Sequence, residues 1–70
     1  MLALNVHGIL GHGAGVEVSC SQFTQLELLG MAKVANSKGA HLTIRDALKL
    51  SDLDRLGIAT NGGKAVTLVY

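Results

Sequence analysis

The sequence predicts a small α/β domain: a two-layer sandwich with the element order β-β-α-β-α-β, a mixed sheet and both helices on one face. The first observation behind this prediction is a near-repeat, because Thr24–Ala32 lines up residue for residue with Ser51–Ala59. The second is that each copy follows alternating apolar and polar residues, and a third such stretch, Val66–Leu68, comes near the end of the sequence. Alternation is the period of a half-buried strand, and a repeated strand-and-helix unit indicates a repetitive architecture.

The 70 residues are predicted to form a single domain. Residues 1–15 would hold an N-terminal strand and a glycine-rich loop, and residues 16–70 two βα units plus a closing strand. A chain of this size buries barely enough surface to offset its conformational entropy. We therefore expect association with a partner to help stabilise it.

The first strand is predicted from Leu2, Leu4 and Val6, which alternate with Ala3, Asn5 and His7. The Gly8–Gly15 segment contains four glycines and is predicted to be a turn. Because a parallel crossover needs about a dozen residues, the strands on either side of this turn should pair antiparallel.

Both helices carry capping signals. Thr24 and Ser51 are predicted N-caps, with Glu27 and Asp54 three residues further on in the capping-box position. The first helix should end near Gly39 and the second at residues 61–63. The apolar face predicted for the first helix comprises Leu26, Leu28, Leu29, Met31, Ala32 and Ala35. Leu48 and Leu50, in the connection before the second helix, are predicted to be anchored in the core.

One face of the sheet should be open, since the strands place polar residues opposite the inward apolar row. The closing strand contains no proline and has its one nearby charge, Lys64, just outside it. Such a strand is either shielded by its neighbours or its shortness, or available for pairing with another chain. The predicted interaction surface comprises Glu17, Ser19, Thr43, Arg45 and Thr67 of the open face and Val66, Leu68 and Tyr70 of the closing strand.

The composition argues against several classes of partner. The net charge is +1 with scattered lysines and arginines, and Phe23 and Tyr70 are the only aromatic residues, so nucleic acid is not an expected partner. Met1–Gly15 is too short and too interrupted for a membrane helix, and no membrane partner is expected. One cysteine cannot form an internal disulfide, which fits a reducing compartment and predicts a cytoplasmic location.

No catalytic, cofactor or metal site is predicted, and we do not expect an enzyme. Cys20 is interpreted as a small buried hydrophobe. His7, His12 and His41 have no spacing typical of metal ligands. The Gly8–Gly15 segment has the glycine content of a phosphate-binding loop, but it leads into a strand and has no lysine near it in sequence, so a mobile hairpin link is the favoured interpretation.

The Leu-x-Leu strands and the strand–helix units from Val16 to Val69 resemble leucine-rich repeats of the ribonuclease-inhibitor-like form. Cys20 and Asp46 stand at the position of that family's Asn or Cys ladder. The resemblance implies a protein-binding role through the open face, with Glu17, Ser19, Thr43, Arg45 and Thr67.

The segment Leu28–Ile44 is similar to the central helix and following strand of STAS domains, the anti-sigma-factor antagonists. That family carries an Asp–Ser pair at the start of this helix, and the serine is phosphorylated. This chain has Thr24 and Gln25 there, so the resemblance implies a regulatory module with Thr24 as the one candidate phosphosite.

The leading functional hypothesis is a non-enzymatic protein-interaction or assembly module, a homo-oligomer that associates with itself through sheet edges. The alternative is a STAS-like regulatory module that binds a partner protein. A nucleotide or phosphate binder with a glycine loop is the third hypothesis.

Overall fold

The computed structural model describes residues 3–70. Three helices and three strands alternate along these residues, and short 3₁₀ turns follow β1, β2 and α3. In chain order the elements are α1 (Ala3–Gly11), β1 (Val16–Ser19), a 3₁₀ turn (Cys20–Gln22), α2 (Gln25–Lys38), β2 (Leu42–Arg45), a 3₁₀ turn (Ala47–Lys49), α3 (Asp52–Gly62), a 3₁₀ turn (Gly63–Ala65) and β3 (Val66–Leu68).

The three strands form a parallel sheet in the order β1-β2-β3. Val16 pairs with Leu42, and Leu42 pairs in turn with Val66 on its other side. The α/β class is confirmed, whereas the mixed sheet and the β-β-α-β-α-β order are wrong. Both errors come from the N-terminal segment, since the predicted antiparallel partner of β1 is a helix.

Residues 3–11 form a helix, although the spacing of their apolar residues also fits the alternating period of a strand. Val6 and Leu10, four residues apart, are fully buried, whereas Leu4 is 80% exposed. Gly8 and Gly11, predicted to lie in a turn, belong to this helix. The other member of the predicted strand pattern, Leu2, lies outside the described residues.

A glycine with positive φ stands between each helix and the strand that follows it. Gly13, Gly39 and Gly63 lie three residues before the three strands and have φ of 81°, 68° and 53°. Glycine adopts a positive φ without steric cost, and Gly39 has the left-handed conformation that is usual just beyond a helix C-terminus. The described chain is therefore three helix–strand units, rather than two strand–helix units with a closing strand.

The three helices present equivalent pairs to the core. Val6 and Leu10 of α1, Met31 and Ala35 of α2, and Ile58 and Gly62 of α3 are spaced four residues apart, and all six are buried. Such a spacing places both members of a pair on one face of a helix. α2 packs between α1 and α3, so the helices form one layer against the sheet.

The predicted helix boundaries are confirmed. The Thr24 hydroxyl accepts a hydrogen bond from Glu27 N at 3.3 Å, and Glu27 Oε1 accepts one from Thr24 N at 2.9 Å, which completes the capping box. Ser51 Oγ accepts from Asp54 N at 3.1 Å. The second and third helices end before Gly39 and Gly63.

Two predicted core positions are wrong. Leu26 is 81% exposed and Leu48 is 70% exposed. Leu26 lies on the outer surface of the helix layer, while Leu28, Met31, Ala32 and Ala35 face the sheet. Leu50 packs against the core as predicted. Apolar side chains outnumber the inward positions of so small a domain, and some therefore lie at the surface.

None of the helices found in residues 3–70 is long and apolar enough to span a membrane.

Candidate functional site

The face of the sheet opposite the helices carries a row of polar side chains. Strand pairing places Glu17 beside Thr43 and Thr43 beside Thr67. Glu17 and Thr67 are exposed and Thr43 is half-buried. Parallel pairing in register produces this row, because each residue contributes to the face opposite that of its chain neighbours.

An ion pair crosses this face from β1 to β2. Arg45 Nε lies 2.9 Å from Glu17 Oε2, and the two side chains retain 51% and 58% of their exposure. An ion pair so exposed to solvent contributes little to stability. Its charges remain accessible to a polar partner on this face.

Ser19 is less accessible than the sequence predicts. It is 9% exposed, and its hydroxyl donates a hydrogen bond to Asp46 Oδ2 at 2.7 Å. The same hydroxyl lies 2.9 Å from Ser21 Oγ. Ser19 is thus part of a polar cluster at the carboxyl ends of β1 and β2 and contributes little to the surface of the open face.

Cys20 and Asp46 link these two strand ends. The buried Cys20 thiol donates to the backbone oxygen of Asp46 at 3.0 Å, so its interpretation as a buried residue is confirmed. Asp46 has φ of 60°, the one positive value among the non-glycine residues of the described chain. Asp tolerates this conformation better than most residues. These contacts join the first two helix–strand units, so the cluster stabilises the fold.

The edge at β3 combines exposed backbone with an exposed aromatic residue. Val69 N donates to Ile44 O at 2.9 Å, and Val69 O accepts from Ala47 N at 3.0 Å. Because backbone direction alternates along a strand, Thr67 also faces β2, while Val66 and Leu68 direct their backbone groups away from the sheet. Their side chains are half-buried against the core. Tyr70 is 69% exposed, and the Arg55 guanidinium lies 5.5 Å from its ring centroid.

The opposite edge is formed by β1. Val16 N donates to His41 O at 2.9 Å, so Val16 and Val18 face β2 and Glu17 directs its backbone N–H and C=O outward. The next outward N–H, that of Ser19, already donates to Gln22 Oε1 at 3.1 Å. The available edge is therefore short and centred on Glu17.

The histidines do not converge. His7 lies against Gly30 of α2, His12 is exposed after α1, and His41 Nε2 lies 2.7 Å from Thr67 Oγ1. Within residues 3–70, no three residues among His, Cys, Asp and Glu are placed to hold a metal ion.

A shallow depression of about 330 Å³ lies where α2 leads into β2 and α3 leads into β3. No sequence pattern predicts this depression, because its residues come from two separate units and form no motif. Its lining comprises Asn36, Gly39, Ala40, His41, Lys64 and Ala65. Asn36, His41 and Lys64 supply its polar side chains, and two of these already have partners, since Asn36 Nδ2 donates to Asn61 O at 3.4 Å and His41 Nε2 lies 2.7 Å from Thr67 Oγ1.

The fold and these surfaces define a class of architecture, a short array of helix–strand units with one open sheet face and two edge strands. The chain matches no protein-family model, no curated protein and no solved structure.

Proposed function

We propose that this protein is a non-enzymatic interaction and assembly module that associates with itself through the edges of its sheet. The observation that carries the proposal is the pair of edge strands in a parallel sheet of three strands. Val66 and Leu68 on β3 and Glu17 on β1 direct backbone groups outward at the two edges. Edge backbone groups of this kind are the usual template for adding a strand from another chain.

The helix beside the β3 edge supports the same proposal. Leu56 on α3 is 62% exposed. Helix periodicity places it, with Ala59, on the side of α3 that faces away from α2. A strand added to β3 would bring its own helix against this side, and the leucine would then be removed from water.

The first test compares the oligomeric state of the native chain with that of Leu56→Lys. We expect the native chain to associate at high micromolar concentration in size-exclusion chromatography with light scattering. Leu56→Lys should elute as a monomer, because association would desolvate the lysine ammonium.

Leu26→Lys is the matched control, because Leu26 is 81% exposed but lies on the middle helix, away from both sheet edges. It should associate like the native chain. Circular dichroism verifies that both variants are folded. A native chain that stays monomeric, or a control that loses association while Leu56→Lys keeps it, would contradict the proposal.

A second candidate function is binding of another protein to the open face, as the leucine-rich-repeat resemblance implies. The contact between the Cys20 thiol and Asp46 O favours it, since it joins the two residues that stand at the ladder position of successive units. The binding residues would be Glu17, Thr43, Arg45 and Thr67. Replacing Arg45 with Glu would then abolish capture of that protein without changing self-association.

The STAS-like alternative assigns regulation to Thr24, whose hydroxyl caps α2. The phosphate-binding alternative assigns a ligand to the Gly8–Gly15 segment, half of which belongs to α1. Neither has a contact in the described chain that favours it over assembly. The proposed module acts in the cytoplasm, without a cofactor, on protein partners rather than on nucleic acid or membranes.

A further inference from the structure

The second and third helices, α2 and α3, meet through two pairs of small and apolar residues. Leu29 of α2 packs on Gly57 of α3, where a β-carbon would lie 3.5 Å from Leu29 Cδ2. Ala32 of α2 meets Gly62 of α3, where a β-carbon would lie 3.2 Å from that of Ala32. The two apolar residues of α2 in these contacts are thus the second before and the first after the buried Met31.

The same two positions on α3 are Leu56 and Ala59, counted from the buried Ile58. Both are exposed, Leu56 to 62%. On α2 the equivalent leucine is half-buried by α3. The positions with which α2 contacts α3 are therefore exposed to solvent on α3 itself.

The other end of the array has a receiving surface. His7 lies on the α2 side of α1, against Gly30. Gly8 and Ile9 are exposed, Ile9 to 37%; the helical period places Ile9 opposite His7, with Gly8 between them on the solvent side of the helix. A β-carbon built on Gly8 would meet no atom within 4 Å. This surface has room for a leucine from a neighbouring helix.

We propose that the chain associates head to tail, with the α3–β3 end of one copy against the α1–β1 end of a second copy. β3 of the first copy pairs parallel with β1 of the second, and Leu56 packs against Gly8 and Ile9. The inference rests on the proposed self-association and specifies its partner surfaces. Inside the chain, each strand pairs parallel with the strand of the next unit. The proposed contact repeats this pairing between chains, so the second copy supplies the next unit.

This arrangement differs from a twofold dimer in a testable way. A twofold β3–β3 contact would be antiparallel, would use the same surface on both copies and would close after two chains. A head-to-tail contact uses two different surfaces and leaves one of each free. Growth beyond a dimer follows unless the rotation closes a ring.

The experiment mixes two variants, each blocked at one end. Leu56→Lys blocks the α3 end, and Ile9→Lys blocks the α1 end. Alone, each variant should associate about tenfold or more weakly than the native chain, because every contact would desolvate a lysine. Mixed in equal amounts, they should form dimers and nothing larger, since a single unmodified pair of surfaces remains. Light scattering of the separate and mixed samples gives the masses.

Gly8→Lys is a second block at the α1 end if Ile9→Lys does not fold, because the space around Gly8 is open. If Ile9→Lys and Gly8→Lys associate alone like the native chain, or if the mixture stays monomeric, the head-to-tail arrangement is wrong. In those cases the native chain still associates and self-assembly stands. A monomeric native chain overturns both proposals.

Discussion

At the scale of single residues, Gly62 is a position in α3 where a side chain would collide with neighbouring elements. A β-carbon there would lie 2.2 Å from Val66 Cγ2 and 3.2 Å from Ala32 Cβ. The helix is thereby able to lie close to both β3 and α2. The sequence places Gly62 at the end of a helix, but the need for a glycine comes from side chains of two other elements.

Gly62→Ala should therefore destabilise the fold by about 1–3 kcal/mol through overpacking. Gly57→Ala, in the same helix, should be stabilising by up to about 1 kcal/mol, since its β-carbon would be in ordinary contact with Leu29 at 3.5 Å. Urea denaturation followed by circular dichroism measures both. Equal effects of the two substitutions would mean that helix propensity, rather than packing, dominates at Gly62.

At the scale of elements, Arg55 ties the first turn of α3 to the segment that follows β2. Its guanidinium donates to Ala47 O at 2.9 Å and to Leu50 O at 2.8 Å, and it is ion-paired with Asp52. The Arg55 side chain is 18% exposed. These bonds stabilise the connection between β2 and α3, for which the sequence predicted only that leucine side chains lie in the core.

Arg55→Met keeps the apolar stem but leaves both carbonyl oxygens without this donor, and it should cost about 1–3 kcal/mol. Arg45→Met is the control, because the exposed pair with Glu17 should contribute less than about 1 kcal/mol. Thermal unfolding of both variants gives the comparison. A larger loss for Arg45→Met would show that the open-face ion pair is the stronger contact.

At the scale of the whole molecule, the three helix–strand units place their two edge strands at opposite ends of one sheet. Self-association at these edges would add burial that a single copy lacks. Association and folding would then be linked by mass action.

The melting temperature of the native chain should accordingly rise with protein concentration, whereas that of Leu56→Lys should not. Differential scanning calorimetry across a hundredfold range of concentration, about what mass action requires for a clear shift, measures both. A native melting temperature independent of concentration would count against a linkage between assembly and stability.

The helix boundaries are the part of the fold that local sequence predicts best. Thr24, Ser51 and Gly39 act through their own backbone neighbours, so their roles are readable without tertiary structure. The polar alternation of β1 and β2 likewise placed Glu17 and Arg45 on one face. The low exposure of Ser19 could not be predicted in this way, because its partner Asp46 lies 27 residues away in sequence.

The α/β class, the capped helices and the strands that alternate apolar with polar residues can be predicted from local sequence. The helix over residues 3–11, and with it the wholly parallel sheet, depends on tertiary packing. Leu4 and Val6 fit either period, and the choice depends on long-range packing of Val6 and Leu10 into the core and of His7 against Gly30. Such contacts cannot be predicted from local propensity, because they join residues that only the fold brings together.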